Sequence, residues 1–271
     1  PPMRTGLILA VIAVLVLLAA TVAVGALVLR QPTLPPAYGP AGNGLIAYAA
    51  DGDIYTASTD ASGVTAITTG PPLDMRPAFS RDGTRIAFLR KDRGRAAQQL
   101  MVANADGSGL HAVGPELADV EAIDWSPGSD RLAVLSLIAG ERRASIVLLN
   151  ADGTGSPEPI DVGGLDPAEW LAWLPPAGDE LVFRAQQSLG DDAAGLYAVS
   201  SDGGSPRTLL EPTKAVPADA SVIASPALSS DGRFLTFWTW GPNEAGEVNG
   251  WGHVLDLASG TERIATSWGG S

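Results

Sequence analysis

The chain has 271 residues, 45% of them hydrophobic, and a formal net charge of −13. That length admits one large domain with a substantial core. An acidic chain lacks the basic surface that a phosphate backbone requires, so no nucleic-acid partner is expected. With no cysteine, disulfides, thiolate catalysis and Cys-based zinc sites are excluded.

Residues 1–4 form a short flank that begins with Pro1, so either Met3 is the start or the chain continues upstream. Thr5 to Leu29 carries no charge and is almost wholly apolar, bracketed by Arg4 and Arg30. As a helix at roughly 1.5 Å per residue it would exceed the ~30 Å hydrocarbon core of a bilayer. The favoured reading of 5–29 is an uncleaved transmembrane anchor. A signal peptide cleaved near Val24-Gly25-Ala26 and a buried soluble helix are the alternatives. Residues 1–40 hold two arginines and no acid, which leaves the remainder at −15. One arginine at each end orients the helix weakly. The acidic body has no cationic cluster to hold it in the cytoplasm, so it is expected on the extracytoplasmic side of the cell membrane.

Residues 30–43 follow as a linker with Pro32, Pro35, Pro36 and Pro40. Proline fixes φ and removes a donor, which disfavours helix and central strand and favours an extended spacer.

From 44 to 271 a repeat sets the architecture. A bulky residue leads into a small turn four times: Phe79-Ser80-Arg81-Asp82-Gly83, Trp125-Ser126-Pro127-Gly128-Ser129, Trp173-Leu174-Pro175-Pro176-Ala177-Gly178 and Leu228-Ser229-Ser230-Asp231-Gly232. Each is followed by a short strand: Arg85-Ile86-Ala87-Phe88, Arg131-Leu132-Ala133-Val134, Glu180-Leu181-Val182-Phe183 and Arg233-Phe234-Leu235-Thr236-Phe237. A second small turn closes a third strand at Asp106-Gly107, Asp152-Gly153, Asp202-Gly203 and, more loosely, Ser259-Gly260. Asp-Gly favours tight hairpins because glycine accepts φ > 0 and aspartate bonds its own backbone. Four short strands per unit make a small antiparallel sheet that cannot bury both faces alone, and radial stacking buries them. The fold expected is all-β: a propeller of about five four-stranded blades, with six possible, behind the transmembrane helix. Residues 44–70 read as a partial first unit, with Leu45-Ile46-Ala47-Tyr48 as its second strand and no opening strand. The ring is therefore expected to be truncated or imperfectly closed. Phe79, Trp125 and Trp173 are expected between blades.

The phrases Ala78-Phe79-Ser80-Arg81-Asp82-Gly83-Thr84-Arg85-Ile86-Ala87-Phe88 and Asn104-Ala105-Asp106-Gly107-Ser108-Gly109 resemble the TolB-type, WD-like β-propeller repeat family. The resemblance covers roughly residues 44–266 and is most eroded where Pro175-Pro176 replaces Ser-Pro. It implies a periplasmic or extracellular propeller, commonly six-bladed, that serves as a protein-interaction module with envelope proteins as partners. It carries over no catalytic residue.

Chemistry is sparse in the sequence. His111 and His253 are the only histidines, and neither a G-x-S-x-G elbow nor a P-loop is present. Asp51 with Asp53, or Asp191 with Asp192, could offer oxygen ligands to calcium, but solvated loop acids are the simpler reading, and no metal or cofactor is expected. Trp238, Trp240, Trp251 and Trp268 crowd the last unit. Phe234, Trp238 and Trp240 share one strand face and Leu235 and Phe237 the other, a pattern expected of blade packing. The loops joining second to third strands differ in charge and all emerge on one ring face. They carry Lys91, Arg93, Arg95, Arg142 and Arg143 in the second and third units, and Asp191, Asp192, Glu244 and Glu247 in the fourth and fifth. These nine are the candidate partner-binding residues, because a polarised surface orients encounter.

The expectation is thus a membrane-tethered, extracytoplasmic interaction or sensing module without catalytic activity. Two alternatives stand beside it: an enzyme or saccharide or peptide receptor working from the central channel, and the sensor end of a longer membrane kinase or anti-sigma factor.

Overall fold

The computed structural model describes residues 44–60, 62–137, 143–187, 194–213, 223–242 and 248–269. The apolar stretch 5–29 and the proline-rich linker lie outside them. Among the described residues no helix is long and apolar enough to cross a membrane.

Nineteen strands form five antiparallel sheets among the described residues. The first has three strands, β1 (Leu45–Ala50), β2 (Asp53–Ser58) and β3 (Thr65–Ala66). Four strands in chain order make each of the others. The second holds β4 (Leu73–Phe79), β5 (Arg85–Lys91), β6 (Gln98–Asn104) and β7 (His111–Leu117). The third holds β8 (Asp119–Trp125), β9 (Arg131–Leu137), β10 (Ala144–Asn150) and β11 (Glu158–Ile160). The fourth holds β12 (Asp166–Trp173), β13 (Glu180–Gln186), β14 (Ala194–Ser200) and β15 (Arg207–Thr213). The fifth holds β16 (Ala224–Leu228), β17 (Phe234–Pro242), β18 (Val248–Asp256) and β19 (Thr261–Gly269).

The repeat's register is visible in the pairing. Phe79 lies opposite Ile86, Trp125 opposite Leu132, Trp173 opposite Leu181 and Leu228 opposite Leu235. The Ser-containing turns owe their shape to one hydroxyl. Ser80, Ser126 and Ser229 each accept the backbone N–H five residues on, at 3.0, 3.0 and 2.9 Å. Each also donates to an aspartate of its turn, Asp82, Asp130 or Asp231. The fourth sheet has Leu174 instead of serine, and its turn contains the cis bond Pro175–Pro176.

Successive first strands pack on one another, β4 on β8, β8 on β12 and β12 on β16, which makes them the inner strands around a central channel. The core lies between sheets rather than within one. Ala87, Leu89 and Val102 of the second sheet meet Trp125, Leu132 and Val134 of the third. Leu135 and Ile146 meet Trp173 and Phe183. Trp125 and Trp173 are 1% and 0% exposed, as expected of inter-blade wedges. Burying about 200 Å² of indole contributes about 5 kcal/mol each, before the entropic cost of ordering the side chain.

The last sheet follows the expected two-faced pattern only in part. Leu235 and Phe237 are buried against the fourth sheet. Phe234, Trp238 and Trp240, on the opposite face, are only half-buried. The first sheet also departs from the rest. No inner strand flanks β1 among the described residues, and Ile46 is 46% exposed, whereas its counterparts Ile86, Leu132, Leu181 and Leu235 are at 0%.

Candidate functional site

Each inner strand starts at one end of the channel and finishes at the other. Near its start every inner strand carries a register break, between Met75 and Ala78, Val120 and Ala122, Pro167 and Leu171, and Ala224 and Ala227. Arg76, Glu169 and Ser225 sit at these breaks with φ of 56°, 67° and 49°. Bulges re-aim side chains, and here they link neighbouring strands. Arg76 donates to the carbonyls of Val120 and Glu121. Glu121 Oε2 accepts the N–H of Glu169. Glu169 then pairs with buried Arg184 at 3.1 Å.

At the far end the inner strands and the turns after them enclose a cavity of about 340 Å³. Its apolar wall comes from Ile123, Trp170, Leu171, Pro175, Pro226 and Leu228. Its polar wall is an ion pair. Arg81, in the turn of the second sheet, directs Nη2 onto both oxygens of Asp124 at 2.8 and 2.9 Å, and its Nε reaches the Trp125 carbonyl at 3.4 Å. Asp124 Oδ2 also accepts the backbone N–H of Trp173 at 2.8 Å. One carboxylate thus joins three consecutive sheets. Desolvation pushes the Asp124 carboxyl above its ordinary range, although the Arg81 charge and the Trp173 N–H pull the other way. A desolvated acid held by a specific charge partner in a cleft marks a candidate functional site.

Neither Arg81 nor Asp124 is among the site residues expected from the sequence, yet the signal for both is in the repeat. The residue before the bulky one is Ala78, Ala172 or Ala227 in three units and Asp124 in the other. The residue two after it is Pro127, Pro175 or Ser230, but Arg81 in the second unit. Both members of the pair therefore stand where the other units place no charge.

The loops that were expected to carry function lie at the opposite end of the channel. Of their nine charged residues, Arg142, Asp191, Asp192, Glu244 and Glu247 lie outside the described residues. Lys91 ends β5 half-buried. Arg93 donates to the Pro71 carbonyl at 3.0 Å. Arg95 pairs with Glu116 at 2.8 Å and with Asp92 at 3.9 Å. Arg143 is exposed and reaches the Gly164 carbonyl at 3.5 Å. Arg95 is thus held by acids of its own sheet, while Arg143 belongs to the next sheet. Among the described residues no group of three or more His, Cys, Asp or Glu is placed to hold a metal ion.

No protein-family model matches the chain, and no curated protein matches it in sequence. Solved structures do match its fold. A putative TolB from Agrobacterium tumefaciens superimposes with a TM-score of 0.64 at 16% identity, over 89% of this chain and 84% of that one. TolB from Acinetobacter baumannii gives 0.59 at 16%, over 84% of this chain but 54% of its own. Oligogalacturonate lyase from Vibrio parahaemolyticus gives 0.63 at 13%, over 85% and 64%. The last of these corrects one expectation. Because a lyase shares the propeller, the lack of a hydrolase elbow and a repeat made of structural turns do not argue for a protein without catalytic activity. The architecture common to the five sheets and these neighbours is that of a TolB-like β-propeller.

Proposed function

We propose that the protein is a membrane-tethered propeller displayed outside the cytoplasm, where it recognises an envelope partner at the mouth of its channel. One observation carries this reading: the Arg81–Asp124 pair, the point at which the repeat is broken to place charge in a cavity of about 340 Å³. A scaffold alone needs no such departure, since the equivalent positions of the later units hold Pro127 with Ala172 and Pro175 with Ala227.

A photo-cross-linking residue at Trp170 of the full chain in cells tests it. The expected result is one dominant adduct, absent when the residue is placed at Glu158 on the outermost strand β11. Equal patterns at both positions would count against the mouth. Topology is tested separately by Glu158→Cys, which is the sole thiol in a chain without cysteine. Labelling by a membrane-impermeant maleimide in intact cells is expected, and protection until lysis would overturn the external placement.

A second reading is supported at the same place. Asp124, with its raised carboxyl, suits proton transfer, and an oligogalacturonate lyase shares the fold. Incubation with oligogalacturonate, followed by chain-length analysis, distinguishes the two. Shortening that Asp124→Asn abolishes would establish the catalytic reading.

A further inference from the structure

The polar groups that face the channel mouth divide unevenly into donors and acceptors. A guanidinium carries five N–H bonds. Arg81 commits those of Nη2 to Asp124 and that of Nε to the Trp125 carbonyl. Among the described residues nothing takes the two on Nη1. Asp124, by contrast, already receives Arg81 on both oxygens and the Trp173 N–H as well. The indole Nε1–H of Trp173 is buried with no partner, although the equivalent Trp125 indole donates to the Ala78 carbonyl at 3.0 Å. The exposed Ser230 adds a hydroxyl at the rim. Arg81 Nη1 and the Ser230 hydroxyl therefore offer hydrogen bonds to the cavity, next to Ile123, Trp170, Pro226 and Leu228.

We infer that the channel mouth binds a peptide carboxylate borne next to a large apolar side chain, with Arg81 Nη1 as its donor and Trp170 against the apolar group. This rests on the reading of the mouth as the recognition site and names what it recognises. A charged acceptor forms roughly twice as strong a bond to a guanidinium as a neutral carbonyl does. The Asp124 charge beside Arg81 and the body's net −15 disfavour a bare anion, so the apolar wall must supply much of the affinity. A volume of about 340 Å³ is at the small end of ligand pockets and suits one or two residues.

The matched probes are N-acetyl-leucine and N-acetyl-leucinamide, titrated by NMR into the full chain in detergent micelles. The acid is expected to bind about tenfold more tightly than the amide, the ratio of one charge-assisted bond. Arg81→Lys keeps a cation beside Asp124 but lacks Nη1, and it should remove that preference while circular dichroism stays unchanged. Trp170→Ala should weaken both probes together. Two peptides locate the carboxylate: one ending in free leucine, and one amidated with an internal Leu-Glu. Binding of either supports the inference and names the source as terminus or side chain. Equal affinity for acid and amide, binding of neither peptide, or a tenfold preference that survives Arg81→Lys overturns it. If the probes fail but the Trp170 adduct persists, the ligand class is wrong and the recognition site stands; if the adduct also fails, both fall.

Discussion

Trp125 and Trp173 hold equivalent positions, each fully buried beneath an arginine, Arg85 at 5.2 Å and Arg131 at 5.0 Å from the ring centroid. They differ in one bond, since only the Trp125 indole has an acceptor. Phenylalanine removes the same ring volume from both. Trp125→Phe should therefore cost roughly 1 kcal/mol more than Trp173→Phe in urea unfolding, because only the first gives up a hydrogen bond, that to the part-buried Ala78 carbonyl. Asp106, Asp152 and Asp231 concern pH instead. The hydroxyls of Ser108, Thr154 and Ser229, followed by backbone N–H groups, hold each carboxyl below the usual 3.8. A carboxyl with a depressed folded pKa contributes stability above its unfolded value and loses it as pH falls through the folded one. The triple Asp→Asn variant should flatten the fall in melting temperature below about pH 3.8 and leave the neutral slope alone.

The elements differ in how far the sequence revealed them. The inner-to-second-strand turns were legible because in three of the four a serine follows the bulky residue, and its hydroxyl closes the turn. The inter-blade tryptophans were legible for the same reason. The bulges were not, because Arg76, Glu169 and Ser225 share no residue type and their positive φ leaves no compositional trace. The Arg81–Asp124 pair was visible only as a mismatch between units that had been aligned for their likeness. Arg76 gives the bulge a measurable signature. Both Arg76→Ala and Arg76→Gly lose the bridge to Val120 and Glu121. At φ 56° glycine avoids a Cβ penalty of about 1 kcal/mol. The glycine variant should therefore be the more stable of the two, the reverse of the usual order in a strand.

For the whole molecule, burial is uneven around the ring. The second strands β5, β9 and β13 lie between neighbours on both sides and hold four or five buried residues each, whereas β1 holds none. Local opening follows local burial, so the amides of Leu45–Ala50 should exchange with deuterium well before those of Arg131–Leu137; equal protection would mean that something covers β1 in solution. The three-stranded first sheet also has a mechanical consequence. A load applied ahead of Leu45 meets a strand that, among the described residues, forms a ladder with β2 and with no other strand. It can peel that strand from one end, bond after bond, at low force. The same load on β9 must shear two ladders at once. The first sheet is then a fuse: it pays out slack under tension while the four complete sheets, and the channel mouth that they frame, keep their shape.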